Sequence, residues 1–202
     1  MANERICRNC GPISITAKRC ATCNLVADIG PGTQLDSSTN TYTIVRMIAR
    51  GGQGVLYKAT DNTGKLVAIK EFRVEPNPND PGNVTRARQK FHEEFQILTL
   101  INHPAYTRPF EEITCFPDLV TGTATEFMVI EFVPGETLES IARSRTLTDE
   151  EILRHAVTIC EKLEAIHTIP LIHRDIKPEN IMVQLSGEIK ILDLGAAKEY
   201  DP

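Results

Sequence analysis

The octapeptide His173-Arg174-Asp175-Ile176-Lys177-Pro178-Glu179-Asn180 constrains the fold of this chain more than any other stretch. It gathers a carboxylate, an ammonium and an amide into one short loop, in an order that lets the three side chains converge. Its flanks set the frame. Ahead of it, Thr148 and Glu151 form a capping box, and Ile152, Leu153, Ala156, Ile159, Leu163 and Ile166 recur as the buried stripe of a long amphipathic helix. Behind it, the apolar run Ile191-Leu192 ends in Asp193-Leu194-Gly195, a strand whose terminus carries a second carboxylate. A polar loop without a task would match the octapeptide's composition but not its order.

The earlier part of the chain reads as strands. Residues 42–48, 55–60 and 66–72 are strand-like, with Asp61-Asn62-Thr63-Gly64 as the hairpin turn between the last two. Residues 75–83 carry Pro76, Pro78 and Pro81 and cannot be regular structure. Phe91, Phe95, Leu98 and Ile101 then recur at helical spacing, and residues 126–133 form a further apolar strand that stops at Pro134-Gly135. Strands first and helices later make the class α+β. Ahead of Tyr42 the pattern changes. Residues 28–41 are rich in Gly, Ser, Thr and Asp and read as a linker, and residues 1–27 hold paired cysteines with few large apolar residues.

Composition excludes some classes. A net charge of −5 argues against a protein that coats nucleic acid, which needs clustered Lys and Arg against phosphates. No apolar run is long enough to span a bilayer, and Met1 is followed by Ala2, Asn3, Glu4 and Arg5 and not by an apolar leader. The expected compartment is the cytosol.

Two further elements carry chemistry. Gly51-Gly52-Gln53-Gly54 joins two strands, and a glycine-rich hairpin lets backbone N–H groups approach phosphate oxygens. By itself it reads more readily as a turn alone. Val67-Ala68-Ile69-Lys70 closes an apolar strand with a cation, which burial penalises unless a carboxylate steadies it. The helix that follows offers Glu93 and Glu94. In the octapeptide, Asp175 can accept or orient a hydroxyl proton, Lys177 can neutralise a transferring phosphoryl group, and Asn180 can bind Mg²⁺ through its carbonyl oxygen. Asp193 can do so through its carboxylate.

In this order and spacing, these elements resemble the protein-kinase catalytic domain over residues 42–202, in the form of bacterial eukaryotic-type serine/threonine kinases. The resemblance implies a protein-kinase-like fold, with an antiparallel-sheet lobe carrying one helix and the first part of a helical lobe. It implies a nucleotide region from Ile48 to Lys70. Ala49 stands where the family has its first loop glycine, followed by Gly51, Gly52, Gln53, Gly54 and Leu56. Ala68 would line the adenine pocket and Lys70 would contact the α- and β-phosphates. Glu94 is the implied partner of Lys70, with Glu93 as the alternative. Ile130 would sit at the back of the pocket, and Glu131 to Val133 would form the hinge. Asp175 matches the catalytic base, Lys177 the lysine of serine/threonine kinases, and Asn180 and Asp193 the two magnesium ligands. Leu194 replaces the commoner phenylalanine. Arg174 suggests control by phosphorylation of the following segment. The implied reaction is transfer of the γ-phosphoryl group of ATP to Ser or Thr hydroxyls of protein substrates.

The chain ends at Pro202, soon after Gly195, with no Ala-Pro-Glu motif. A fragment or a truncated product is the first expectation and a chain completed by a partner the alternative, and the helix from Thr148 would then show an unpartnered apolar face. A catalytically silent nucleotide-binding or scaffold fragment is the alternative function. The oligomeric state is not legible.

Cys7-x-x-Cys10 and Cys20-x-x-Cys23 can supply four thiolates to one tetrahedral metal. Zinc is expected, with a rubredoxin-like iron site as the alternative and a disulfide pair or free thiols as the bland one. Cys115 and Cys160 read as packed side chains, and His173 as structural. A zinc-ribbon binding module joined to a kinase remnant remains a third reading.

Overall fold

The structure, a computed structural model, describes residues 4–7, 10–15, 17, 19–23, 27–51, 54–115, 124–167 and 169–200, with the side chain of Ala165 left aside. Two compact units emerge. The first holds residues 1–87 and 110–132, the second residues 88–109 and 133–202.

The first unit is built on strands β1 (Glu4–Cys7), β2 (Gly11–Ser14), β3 (Asp28–Ile29), β4 (Gln34–Asp36), β5 (Thr41–Arg50), β6 (Gly54–Thr60), β7 (Leu66–Phe72), β8 (Pro109–Cys115) and β9 (Thr125–Glu131). Six of them form one sheet in the order β4-β5-β6-β7-β9-β8, antiparallel from β4 to β9. The period-two alternation of β6 explains the packing. Val55, Tyr57 and Ala59 are buried on one face, while Leu56 and Lys58 stay half-exposed on the other. Val67, Ile69 and Glu71 of β7 share the buried face, where Leu35, Ile44, Phe127 and Val129 complete the core. The β6–β7 turn closes as expected. Asp61 Oδ1 accepts the N–H groups of Thr63 and Lys65, each at 2.9 Å.

A second, three-stranded sheet of order β2-β1-β3 carries the cysteines. Here the expected linker at 28–41 is corrected. Residues 28–29 and 34–36 are strands, β3 pairing with β1 and β4 with β5. Ile29 and Leu35 are buried in the core of the large sheet, and Thr33 is fully buried. The polar composition hid two apolar anchors spaced around a Gly-Pro-Gly turn, and those anchors outweigh the propensity of their neighbours. The Cys-bearing segment is therefore continuous with the kinase-like sheet's buried face and not tethered at a distance from it.

The second unit takes most of α1 (Asn83–Ile101), then β10 (Glu136–Thr137), α2 (Leu138–Ser144), α3 (Asp149–His167), β11 (Leu171–Ile172), a 3₁₀ turn at Pro178–Asn180, β12 (Ile181–Val183), β13 (Ile189–Ile191) and β14 (Lys198–Glu199). α1 buries Phe91, Glu94 and Leu98 on one stripe. α3 begins on the expected capping box: Thr148 N–H donates to Glu151 Oε2 at 2.9 Å, and Glu151 N–H donates to Thr148 Oγ1 at 3.2 Å. The expected buried stripe holds only toward the far end, and the unpartnered apolar face also expected of this helix shows along the first half. Ile166 is buried where α3 packs on β11 and β13, but Leu153 is 65% exposed, and Ile152 and Val157 are exposed too. Among the described residues nothing covers them. Tyr106 ties the unit together, bridging to Ile191 and donating its hydroxyl to Lys162 O at 3.2 Å.

Candidate active site

In the second unit the octapeptide is a braced loop. His173 is buried beneath it, and its Nδ1 accepts the Asp175 N–H at 3.3 Å. Burial holds the His173 imidazole below its usual pKa, so it serves as a neutral acceptor. Pro178 opens the 3₁₀ turn, where its missing N–H costs nothing, and Asn180 N–H closes the turn on Lys177 O at 2.9 Å. The turn brings the three predicted side chains together. Lys177 Nζ donates to Asp175 Oδ2 at 2.8 Å, and Asn180 Nδ2 donates to the same oxygen and to the Asp175 carbonyl, both at 2.9 Å. The Asn180 amide is thus oriented, with its Oδ1 outside these bonds.

The electrostatics follow from that geometry. The hydrogen bond from Lys177 holds the Asp175 carboxyl below the usual aspartate range, with Asn180 adding to it, and the same bond raises Lys177. A depressed carboxyl stays ionised as pH falls until its own folded pKa is crossed. In a ¹³C-carboxyl NMR titration, Asp175 is expected to protonate below the ordinary range near ~3.9. Lys177→Ala should move that inflection upward. Coincident inflections in the two proteins would show that Lys177 does not set the Asp175 charge.

β12 and β13 carry the second carboxylate to this loop. Ile181 pairs with Ile191, and Leu192 N–H donates to Asn180 O at 2.8 Å, so Asn180 and Asp193 leave adjacent ends of one hairpin. Asp193 is exposed and its Oδ1 accepts the Gly195 N–H at 3.0 Å. Leu194 is buried, as an apolar plug should be. A Cβ on Gly195 would lie 3.1 Å from Asp193 Oδ1 and 3.2 Å from Glu94 Oε2, so the glycine leaves room for two carboxylates on either side of it. Glu94 is buried, while Glu93 is exposed and accepts from Gln89. Two residues here take left-handed backbone, Arg174 with φ 63° and Asp193 with φ 60°. Such strain costs on the order of 1–3 kcal/mol per residue and collects at functional loops. Arg174 Nε donates to Ala196 O at 2.8 Å, in the segment it was expected to serve.

In the first unit the expected nucleotide residues share one sheet face. Ala49 pairs with Leu56, Leu56 with Lys70, and Ala68 with Ile130. Directly paired residues point the same way, and Ala68 and Lys70 are two apart on one strand, so these five side chains share a face. Ile48 is exposed and Glu131 pairs with Val67 in the neighbouring register. Gly51 N–H donates to Gly54 O at 2.9 Å, closing the hairpin. Gly52 and Gln53 lie outside the described residues. Gly54 has a second duty that its motif does not announce, because a Cβ there would collide with the Glu71 carbonyl oxygen of β7. Val133 and Glu94 belong to the second unit, where Val133 is buried.

The cysteines form a third cluster. The Sγ atoms of Cys7, Cys10, Cys20 and Cys23 all lie within 4.8 Å of one another, with Cys7 and Cys23 at 3.4 Å. Four thiolates at the usual zinc distance would sit about 3.8 Å apart. All six cysteines are free thiols. Cys20 is lowered to about 6 by the backbone N–H groups of Cys23 and Thr22, the turn geometry that favours a thiolate ligand. Cys10 is pushed up to about 12 by its hydrogen bonds with Cys23 and Cys20.

Motif reading missed a buried ion network beside this cluster. Arg5 and Glu71 are 0% and 1% exposed and pair at 2.8 Å. Arg73 binds both Glu71 and Asp28, and Asp28 also binds Arg50. One signal was available: Glu71 sits at the inward position of β7, after Val67 and Ile69, where an unpaired carboxylate is untenable.

Residues 42–202 match the protein-family model described as "Protein kinase domain". Among curated proteins, serine/threonine-protein kinase PknA of Mycobacterium tuberculosis is 34% identical over 168 residues, covering 79% of this chain and 36% of that protein. A "probable serine/threonine-protein kinase" of Streptomyces coelicolor is 32% identical over 159 residues, covering 78% of this chain and 22% of its own length. Serine/threonine-protein kinase PknD of Protochlamydia amoebophila is 30% identical over 183 residues, covering 84% and 17%. The chain thus spans little more than a third of the length of PknA and less of the other two.

Proposed function

The chain belongs to the protein kinase domain family, and from that premise we propose that it carries the nucleotide-binding and phosphoryl-transfer residues of a serine/threonine protein kinase. ATP is the proposed donor and Ser or Thr hydroxyls of proteins the acceptors. The observation that carries the reading is the Asp175 carboxylate, gripped by Lys177 and Asn180 one hairpin end away from Asp193.

Each role follows from the local chemistry. Asp175 is ionised and partly exposed, so it can orient an incoming hydroxyl and receive its proton. Lys177 stands on the same carboxylate oxygen, close enough to steady negative charge on a group in transfer. Asn180 Oδ1 and the Asp193 carboxylate are hard oxygen donors on neighbouring strand ends, the donor set that suits Mg²⁺. When bound, Mg²⁺ neutralises phosphate charge. On the sheet, Lys70 would hold phosphate oxygens while Ala68 and Ile130 offer an apolar seat for the base. Glu94 is buried and Glu93 is not, which supports Glu94 as the structural carboxylate of the pair. No observation favours the silent alternative, since Lys70, Asp175, Asn180 and Asp193 are all present.

The four cysteines are proposed to hold zinc, with iron as the second candidate, since a tetrathiolate set suits both. Four thiols that must stay reduced fit the cytosol, the compartment we propose. No helix among the described residues is long and apolar enough to cross a membrane.

A thermal melt tests the nucleotide site. Mg²⁺–ATP at a hundredfold excess over Kd should stabilise the chain by about 2.7 kcal/mol, a shift of several degrees for a chain of this size. Lys70→Met should remove most of that shift. A wild-type midpoint indifferent to Mg²⁺–ATP would overturn the nucleotide reading.

A further inference from the structure

Arg5 sits two residues before Cys7, and each nitrogen of its guanidinium donates a hydrogen bond. Nε donates to Ile15 O at 3.0 Å, Nη1 to Ala27 O at 3.1 Å and Nη2 to Glu71 Oε1 at 2.8 Å. Ile15 follows β2 and Ala27 precedes β3, so two carbonyls of the Cys-bearing segment hold the cation that holds Glu71. The other Glu71 oxygen accepts the Tyr57 hydroxyl at 2.8 Å and binds Arg73. Tyr57 in turn accepts the Ile29 N–H at 3.1 Å. Glu71 is the residue after Lys70, on the opposite face of the same strand. The strand that presents Lys70 is therefore fastened from behind by the segment that carries the four thiols.

We propose that metal occupancy of the four-cysteine cluster sets the affinity of this protein for Mg²⁺–ATP, through Arg5 and Glu71 as positioning residues for Lys70. The proposal rests on two readings given above, the cluster as a metal centre and Lys70 as a phosphate contact. Its physical basis is that so small a segment, two short paired strands and two Cys turns, draws much of its folding energy from the metal. Without the metal, the carbonyls of Ile15 and Ala27 no longer hold the guanidinium in place. Arg5 then hydrates, and Glu71 is left in the core with Arg73 and the Tyr57 hydroxyl, one cation short. A buried carboxylate that loses a cation draws water or moves toward it. Either response displaces β7 at Glu71, and Lys70 moves with its neighbour. By linkage the coupling is reciprocal, so nucleotide must tighten the metal by the same factor that metal tightens nucleotide.

The test uses the full 202-residue chain. Metal loading is followed by the Co²⁺–thiolate charge-transfer band, and nucleotide affinity by titration with a fluorescent ATP analogue and Mg²⁺. Stripping zinc with a chelator is expected to weaken nucleotide binding on the order of tenfold. Arg5→Met/Glu71→Gln, which cuts the link while leaving the cysteines and Lys70 in place, should bind nucleotide equally well with and without metal. Tyr57→Phe removes only one hydroxyl from the network and should give an intermediate factor. The reciprocal measurement needs no variant: saturating nucleotide should tighten wild-type zinc binding by that same factor. An unchanged wild-type affinity after stripping overturns the proposal, as does a double variant that loses as much as the wild type. A chain that takes up no Co²⁺ defeats the metal reading, and one that binds Co²⁺ but no nucleotide defeats the Lys70 reading; each takes the proposal with it. Binding of both without coupling defeats the proposal alone.

Discussion

Asp175→Asn is expected to lower phosphoryl transfer by about 10²–10⁴-fold while leaving nucleotide binding intact. The substitution is isosteric. It keeps an oxygen acceptor for Asn180 Nδ2 but removes the charge that Lys177 holds ionised. An amide can still position a hydroxyl and cannot take its proton. The pair it breaks is partly exposed, so the fold should lose little. The measurement is incorporation of the γ-phosphoryl group into a serine-containing protein acceptor at saturating ATP, with the thermal shift by Mg²⁺–ATP as the control. A rate within tenfold of wild type would remove Asp175 from its assigned role. A lost rate with a lost thermal shift would point to a damaged fold instead.

Much of this site was legible because its parts are local. Asp175, Lys177 and Asn180 converge within six residues around one 3₁₀ turn, which Pro178 opens. Asp193 was legible as the end of the apolar run Ile191-Leu192, but its place beside Asn180 comes from the pairing of that run with β12, which no local pattern announces. The helix start at Thr148 was legible for the same reason, since a capping box closes within four residues. What was not legible depends on partners far along the chain. Arg5 and Glu71 are 66 positions apart, and no local pattern pairs them. Ile29 and Leu35 lie in a polar stretch and count as anchors only once the core of the large sheet exists. The left-handed φ of Arg174 has no signal either, because arginine does not favour that backbone and the surrounding loop imposes it, whereas Asp193 is of a residue type enriched there. Gly54 was read for phosphate approach, but its collision with the Glu71 carbonyl is a fact of sheet register. The first half of α3 shows the converse. Its stripe was read correctly as apolar, and an apolar stripe does not say what covers it.

Arg5→Met should destabilise the chain by about 3–5 kcal/mol, the penalty for stranding one member of a buried ion pair. The size follows from Glu71. Burial alone pushes its carboxyl upward, yet Arg5 and Arg73 together bring it below its ordinary value, so the folded state holds it as an anion. The sign of the pH effect follows. A depressed folded pKa contributes stability above the unfolded value, and that contribution is lost as pH falls through the folded one. Methionine fills much of the volume of the arginine stem but supplies no charge. Arg73 remains, though it is shared with Asp28. The variant should therefore melt roughly 6–20 °C below wild type at neutral pH. Adding Glu71→Gln should recover a large part of the loss, because glutamine keeps acceptors for Tyr57 and Arg73 and removes the stranded charge. Metal-loaded samples of all three proteins keep the comparison on the ion pair. If Arg5→Met costs less than about 1 kcal/mol, or the second substitution only deepens the loss, then Arg5 is a packing residue and its charge holds nothing in place.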